Sequence, residues 1–454
     1  MRLAGTRVLV VGLARSGAAA ARLAAREGAR VTVTDRRPAS ALGDELRSLE
    51  GTGARLALGG HDLRDFTGAD LVVVSPGVPL AIPEIAAARA AGVPVVAEVE
   101  LAWRFLPRVP VVGITGTNGK STTTALAGAI FREDRRAFVG GNLGTPLSEL
   151  PLSAEAVDVA VVELSSFQLE GIDRFRARVG AILNVTPDHL DRYPDLDAYA
   201  AAKARLFAAQ QPGDVAVANE ADPRALAAAR STRGDLVTFG HGPRAPMAAR
   251  DDGEVLRFTG PTGEPERYRV RNRALRGRHN RENAMAAVAC ARMMGVPGPA
   301  VQRGLDAFPG LPHRLELVSE RGGVEWVNDS KATNVDSTVV GLQAFPAGRP
   351  GVILLLGGRG KKAPYAPLRP LFPGRVKALL TLGEDAPAIE RELGDLAPTE
   401  SCGDLRRAAE RAAALAAPGD VVLLSPACAS YDQFRDYEER GEAFRALARA
   451  APLP

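Results

Sequence analysis

The sequence predicts an α/β protein made of three consecutive units, each built on a parallel sheet. Two observations carry this. Apolar runs of strand length alternate throughout with alanine-rich, helix-like stretches, and 454 residues exceed one compact core at about 150 residues per domain. In the first unit, residues 1 to 98, the runs "RVLVVG", "RVTVTD", "LVVVSPG" and "VPVVAE" are separated by "SGAAAARLAAREG" and "IPEIAAARAAG", the βαβ alternation of a parallel sheet. The second unit, 99 to 310, starts at "VPVVGITGT" and continues through "DVAVVEL", "VGAILNVT", "GDVAVAN" and "LVTFG". Residues 253 to 273 read as a strand pair, and "NRENAMAAVACARMMG" reads as a helix capped by Asn280. The Pro/Gly cluster "FPGLPHR" marks a linker. The third unit, 311 to 454, repeats the pattern with "GVILLLGG", "VKALLTLG" and "GDVVLLSPA".

Composition narrows the function. A chain with 46% hydrophobic and 24% charged residues is an ordinary globular protein. No run reaches the roughly 18 apolar residues of a membrane helix, and the first apolar run meets Arg15 before a signal-peptide core forms, so the expected location is the cytoplasm. The three cysteines, Cys290, Cys402 and Cys428, are odd in number and lack metal-type spacing, which predicts small buried residues. A net charge of +4 without a basic block interleaved with aromatics argues against nucleic acid. Only Lys120, Lys203, Lys331, Lys361, Lys362 and Lys377 are lysines among 57 basic residues. In a chain that otherwise uses arginine, a retained lysine marks a place that needs a compact ammonium or a deprotonatable amine.

Each unit carries candidate site residues. In "VLVVGLARSG" a strand leads through Gly12 to a helix start at Gly17, and Asp35 ends the next strand. Ala14 stands where a dinucleotide fingerprint has its middle glycine, which disfavours NAD(P). A phosphate on the helix N-terminus near Arg15, Ser16 and Arg37, with Asp35 accepting from a ribose or base, competes with a plain strand-helix turn. In the second unit "GITGTNGKST" has the strand, GK and serine of a phosphate loop but Ile114 where the common Walker template has glycine. Its glycines free backbone N–H groups, Lys120 reaches phosphates and Ser121 ligates magnesium. Glu163 and His189 end two further strands, where a metal ligand beside such a loop would sit; His189 is flanked by Asp188 and Asp191. Lys203, retained as lysine in a helix nearby, is suited to deprotonation and conversion to an anionic carbamate, which arginine does not undergo.

Taken in order, "GTNGKST", "ELSSFQLE", "NVTPDHLDRY", the Lys203 helix, "GRHNRENAMAA", "HRLE", "NDSKATN" and "LSPACASYDQF" resemble the peptidoglycan Mur ligases over nearly the whole chain. "NDSKATN" and "SPACASYDQF" point to the member that adds D-glutamate. Within that family the altered glycine spacing is the expected one. The resemblance implies a Rossmann-like N-terminal domain, a central P-loop-type ATPase domain and a C-terminal Rossmann-like domain that binds the amino acid. It implies a monomer with no nucleic-acid partner, using ATP and Mg²⁺ to join D-glutamate to UDP-N-acetylmuramoyl-L-alanine through an acyl phosphate. Gly116, Thr117, Asn118, Gly119, Lys120, Ser121 and Thr122 would serve ATP, with Asn280 and Asn283 on adenine and Arg314 and Asp329 from the third domain. Ser121, Glu163, His189 and carbamylated Lys203 would hold magnesium, with Lys120, His189 and Lys203 as the catalytic set. Arg15, Ser16, Asp35, Arg37, Gly77, Asn142 and His189 would meet the UDP-sugar, and Lys331, Thr333, Lys361, Ser430 and Tyr437 the D-glutamate. Arg15 and Arg36 fall at variable positions, Arg359 stands where an acid is common, and Tyr437 replaces phenylalanine, which suits a backbone contact. Competing readings are a ligase for another amino acid or for folate, and a nucleotide-regulated binding protein with no amino-acid pocket.

Overall fold

The computed structural model describes residues 2–106, 109–142, 144–189, 192–241, 248–251, 255–260, 263–348, 351–361 and 363–451. Strands β1 (Arg7–Val11), β2 (Arg30–Asp35), β3 (Arg55–Leu58), β4 (Leu71–Val74) and β5 (Val95–Ala97) form a five-stranded sheet in the order β3-β2-β1-β4-β5, parallel throughout. Val8, Val10 and Val33 fill one face, and Leu9, Val11 and Val72 fill the other. Burial on both faces explains why β1 and β4 are nearly unbroken apolar runs. The chain reverses direction of winding between β1 and β4, which opens a crevice at the carboxyl ends of the strands.

A second sheet has nine strands: β6 (Val111–Thr115), β7 (Ala137–Gly141), β8 (Val159–Glu163), β9 (Val179–Ile182), β10 (Val215–Asn219), β11 (Asp235–Gly240), β12 (Ala248–Asp251), β13 (Val255–Thr259) and β14 (Pro265–Arg269). Their order is β14-β13-β12-β11-β10-β9-β6-β8-β7; β12–β13 and β13–β14 are antiparallel pairs and the others are parallel. β6 lies between β8 and β9, so the loop that follows it emerges at a second point where winding reverses. A third sheet, in the order β15-β16-β20-β17-β18-β19, comprises β15 (Glu316–Arg321), β16 (Val324–Asn328), β17 (Val352–Gly357), β18 (Val376–Leu382), β19 (Thr399–Gly403) and β20 (Val421–Leu424). β15 and β16 form an antiparallel hairpin on an otherwise parallel sheet.

The first two sheets belong to one compact unit, residues 1–270 and 282–307; the third belongs to another, residues 271–281 and 308–454. The expected Asn280 cap is corrected. The helix runs Arg278–Met293, because Gly277, with φ 86°, breaks the chain ahead of it. Asn280 sits inside the first turn, and its Nδ2 donates back to the Arg276 carbonyl at 3.1 Å. All three cysteines are buried free thiols, and among the described residues no helix is long and apolar enough to cross a membrane.

Candidate active site

The crevice of the first sheet is a cavity of about 550 Å³ whose lining includes Arg15, Ser16, Asp35, Arg37, Gly77 and Asn142. Of the residues expected to meet a UDP-sugar, the cavity brings these together. His189 is not among its lining residues. Asp35 is committed to the loop after β1. Its carboxylate accepts from the Leu13 amide at 2.7 Å, the Arg37 amide at 2.8 Å, and Arg37 Nε and a guanidinium NH₂ at 3.0 and 2.9 Å. Burial pushes this carboxyl up, but the hydrogen bonds from Arg37 and Leu13 outweigh it and hold it at about 2. Asp35 is thus a fixed anion that shapes the pocket wall.

The loop between β6 and the helix Lys120–Arg132 turns through Gly119 in the left-handed region, φ 85°. A Cβ there would lie 2.2 Å from Asn283 Oδ1, so glycine is required and Asn283 is seated against the loop. Lys120 Nζ donates to the Gly116 and Thr117 carbonyls at 2.9 and 2.8 Å. Asn184, after β9, braces the opposite side: its Oδ1 accepts from the Thr117 and Asn118 amides at 3.1 and 2.8 Å, and its Nδ2 donates to the Asn118 carbonyl at 3.1 Å. Sequence reasoning missed Asn184, although its place in "NVTPDH" at a strand terminus was a usable signal. Ser121 and Thr122 lie in the first helical turn, where backbone donors and the helix dipole favour an anion.

Glu163 ends β8 and is 2% exposed. One oxygen accepts from Asn142 Nδ2 at 2.7 Å; the other, Oε2, is buried without a hydrogen-bond partner. Lys203, 1% exposed, points Nζ at the Gly116 carbonyl, 2.8 Å away, over the Tyr199 ring at 4.4 Å. Burial, then the charge of Lys120, brings its pKa down to about 6, so at neutral pH the amine carries a lone pair. His189 has left-handed backbone, φ 53°; its ring lies 4.8 Å from that of Phe167 and its Nε2 3.5 Å from Asp188. Asp191 lies outside the described residues. No group of three or more His, Cys, Asp or Glu able to hold a metal occurs among the described residues. The orphaned Glu163 oxygen beside a phosphate loop nevertheless fits Mg²⁺, which takes one or two carboxylates and completes its shell with phosphate and water.

In the other unit, Asp329 follows β16. Its oxygens accept from the Leu315 amide at 3.2 Å and Ser425 Oγ at 2.8 Å, and burial lifts its pKa to about 7. Arg314 lies between His313 and Leu315, whose φ values of 61° and 44° are left-handed, and its Nε is buried without a partner. Two adjoining strained residues place this guanidinium, a feature found where a site over-determines its backbone. Lys331 Nζ lies 5.0 Å from the Tyr437 ring, and the Tyr437 carbonyl accepts from Ser330 Oγ at 2.8 Å. Thr333 is half-buried, Ser430 buried and Lys361 exposed; Lys362 lies outside the described residues. Arg359 pairs with Glu384 at 2.8 Å, which compensates its charge. Arg440 was missed. It is 1% exposed and ties "NDSKATN" to "SPACAS" through Ser330 Oγ at 3.0 Å and the Ser330 and Cys428 carbonyls at 2.9 and 3.1 Å.

Three family models match in succession: the Mur ligase MurD-like N-terminal domain over residues 6–97, the Mur ligase middle domain over 114–291, and the Mur ligase glutamate ligase domain over 313–428. The chain belongs to the Mur ligases. Among curated Mur ligase relatives, the UDP-N-acetylmuramoylalanine--D-glutamate ligase of Anaeromyxobacter dehalogenans is 75% identical, covering 98% of each chain. That of Myxococcus xanthus is 52% identical over 99% of each. Solved Mur ligases share the fold: MurF from Acinetobacter baumannii gives a TM-score of 0.62 at 18% identity, covering 97% of this chain and 93% of that one. UDP-N-acetylmuramate-alanine ligase MurC from Thermotoga maritima gives 0.57 at 19%, covering 98% and 100%.

Proposed function

We propose that this Mur ligase joins D-glutamate to UDP-N-acetylmuramoyl-L-alanine with ATP as co-substrate, as a cytoplasmic monomer making a peptidoglycan precursor. The observation that carries the reading is full-length 75% identity to a relative of that name. We assign residues 1–98 to the sugar nucleotide, 99–310 to ATP and 311–454 to the amino acid. The crevice cavity takes the sugar nucleotide along Arg15, Ser16, Asp35, Arg37, Gly77 and Asn142, with His189 toward its reactive end. The loop 116–122, with Asn283, takes ATP. Lys331, Thr333, Lys361, Ser430 and the Tyr437 backbone take D-glutamate.

The L-alanyl carboxylate attacks the γ-phosphorus of ATP, forming an acyl phosphate and releasing ADP. The D-glutamate amine then attacks that carbonyl, loses a proton, and the tetrahedral intermediate expels phosphate. Lys120 meets the charge that gathers on the transferred group, where preorganised electrostatics contribute most. Mg²⁺ held by Ser121, Glu163, His189 and Lys203 would supply further charge neutralisation. Lys203 suits that role as a carbamate: its neutral Nζ adds carbon dioxide, a proton leaves, and a cation becomes an anionic oxygen ligand.

Phosphate release measured over a panel of acceptors and amino acids tests the assignment. Release should require UDP-N-acetylmuramoyl-L-alanine and D-glutamate together. Equal rates with L-glutamate, or with a folate acceptor, would sink it.

A further inference from the structure

Asn142 touches both the crevice cavity and the magnesium-side carboxylate. It lines the cavity, and it is clamped to Glu163 at two points. Its backbone N–H donates to the Glu163 carbonyl at 2.9 Å, and its Nδ2 donates to Glu163 Oε1 at 2.7 Å. Gly141 makes this approach possible. Its φ is 97°, and a Cβ there would lie 2.4 Å from the Glu163 carbonyl oxygen.

The chemistry of the amide fixes what each end does. An ionised carboxylate only accepts, so the Asn142 NH₂ faces Glu163 and its Oδ1 is left to accept from something else. On the other side, Glu163 Oε2 is buried with no partner, so the Asn142 bond is the side-chain anchor that sets the orientation of the carboxylate. We propose that Asn142 is a positioning residue that couples the two sites. A sugar nucleotide that donates to Oδ1 fixes the amide, the amide holds Oε1, and Oε2 is presented to the divalent cation of the bound nucleotide. Sugar-nucleotide occupancy then tightens binding of the magnesium nucleotide, and by linkage the reverse holds equally. This rests on the reading of the two sites given above.

Calorimetric titration of the full chain with a non-hydrolysable ATP analogue and Mg²⁺, with and without saturating UDP-N-acetylmuramoyl-L-alanine, tests it. The sugar nucleotide should tighten analogue binding about tenfold, a common size for such coupling, and the factor should vanish when EDTA replaces Mg²⁺. Asn142→Ala should bring the factor to about one, with a modest fall in melting temperature because buried Glu163 Oε1 loses its donor. Ser16→Ala weakens the sugar nucleotide but leaves the clamp intact, so at saturation it should keep the wild-type factor. Should Asn142→Ala fold poorly, Asn142→Asp sets a carboxylate against Glu163 and should also abolish coupling. An unchanged factor in either Asn142 variant, or wild-type binding of both ligands without coupling, overturns the proposal alone. Wild-type protein that fails to bind UDP-N-acetylmuramoyl-L-alanine overturns the substrate assignment and the coupling with it.

Discussion

The loops after β1 and β6 occupy the same topological position in two sheets, yet they handle charge in opposite ways. In the first, Asp35 and Arg37 neutralise each other and the carboxylate also gathers two backbone amides. The Asp35–Arg37 pair is satisfied before any ligand arrives. In the second, Lys120 is folded onto its own loop carbonyls, Glu163 keeps a buried oxygen without a partner, and Lys203 is pressed toward the neutral amine. That arrangement costs stability, since a buried unsatisfied polar atom is unfavourable by about 1–3 kcal/mol. The difference separates two tasks. On the proposed reading, the wall of the first is preset by the Asp35–Arg37 pair, whereas the orphaned Glu163 oxygen and the neutral Lys203 amine of the second would meet the charge of phosphate and cation.

The largest break in this contrast should come from Lys203→Arg. Guanidinium stays protonated and forms no carbamate, so turnover should fall by about a thousandfold or more; because the site is buried, the fixed charge should also lower the melting temperature, and turnover is compared well below it. Near-normal phosphate release would defeat the modified-lysine reading. Glu163→Gln comes next, because it removes the anion and keeps the Asn142 contact. Activity should drop about a hundredfold with a weaker Mg²⁺ dependence in rate titrations. Thermal stability should hold or rise, because an orphaned buried charge is gone. A large loss of stability would mean that Glu163 is structural.

Much of this was legible in the sequence, and the exceptions share a cause. β1, β4, β6, β8 to β10, β17 and β20 are largely apolar runs because both faces are covered, and β2 and β18 are mostly buried despite their polar residues. The strands not anticipated are β3, β7, β12, β15, β16 and β19; all but β12 lie at or next to a sheet edge, where "RLAL" has no buried residue and "TESCG" only one, and no continuous run arises. β7 is hidden further by its two glycines: a Cβ on Gly141 would meet the Glu163 carbonyl, and one on Gly140 the Thr145 carbonyl. Lys120 and Glu163 drew notice in the sequence because they lie at or just after strand termini, where α/β sheets collect function, and the structure puts those termini on adjacent strands. Arg440 did not, since it hydrogen-bonds backbone segments far away in sequence and neither polarity nor spacing encodes that; for Asn184 only its strand-terminal place pointed to the loop it braces.

The smallest expected effect, and the one that sharpens the comparison most, is Asp35→Asn. Aspartate accepts four N–H groups with two oxygens, two of them from amides and two from the Arg37 guanidinium. Asparagine offers one acceptor oxygen and turns an NH₂ toward donors, so stability at neutral pH should fall by about 1–3 kcal/mol. The loss should depend on pH in a fixed direction. The carboxyl is held at about 2, below its usual 3.8, so its contribution is fully present above 3.8 and disappears as pH falls through about 2. Urea unfolding of both proteins from pH 7 down to pH 2 should therefore show the wild-type advantage shrinking below about pH 4. The KM for the sugar nucleotide should rise about tenfold with the KM for ATP unchanged. A pH-independent difference, or equal rises in both KM values, would mean that the first loop is no more complete electrostatically than the second.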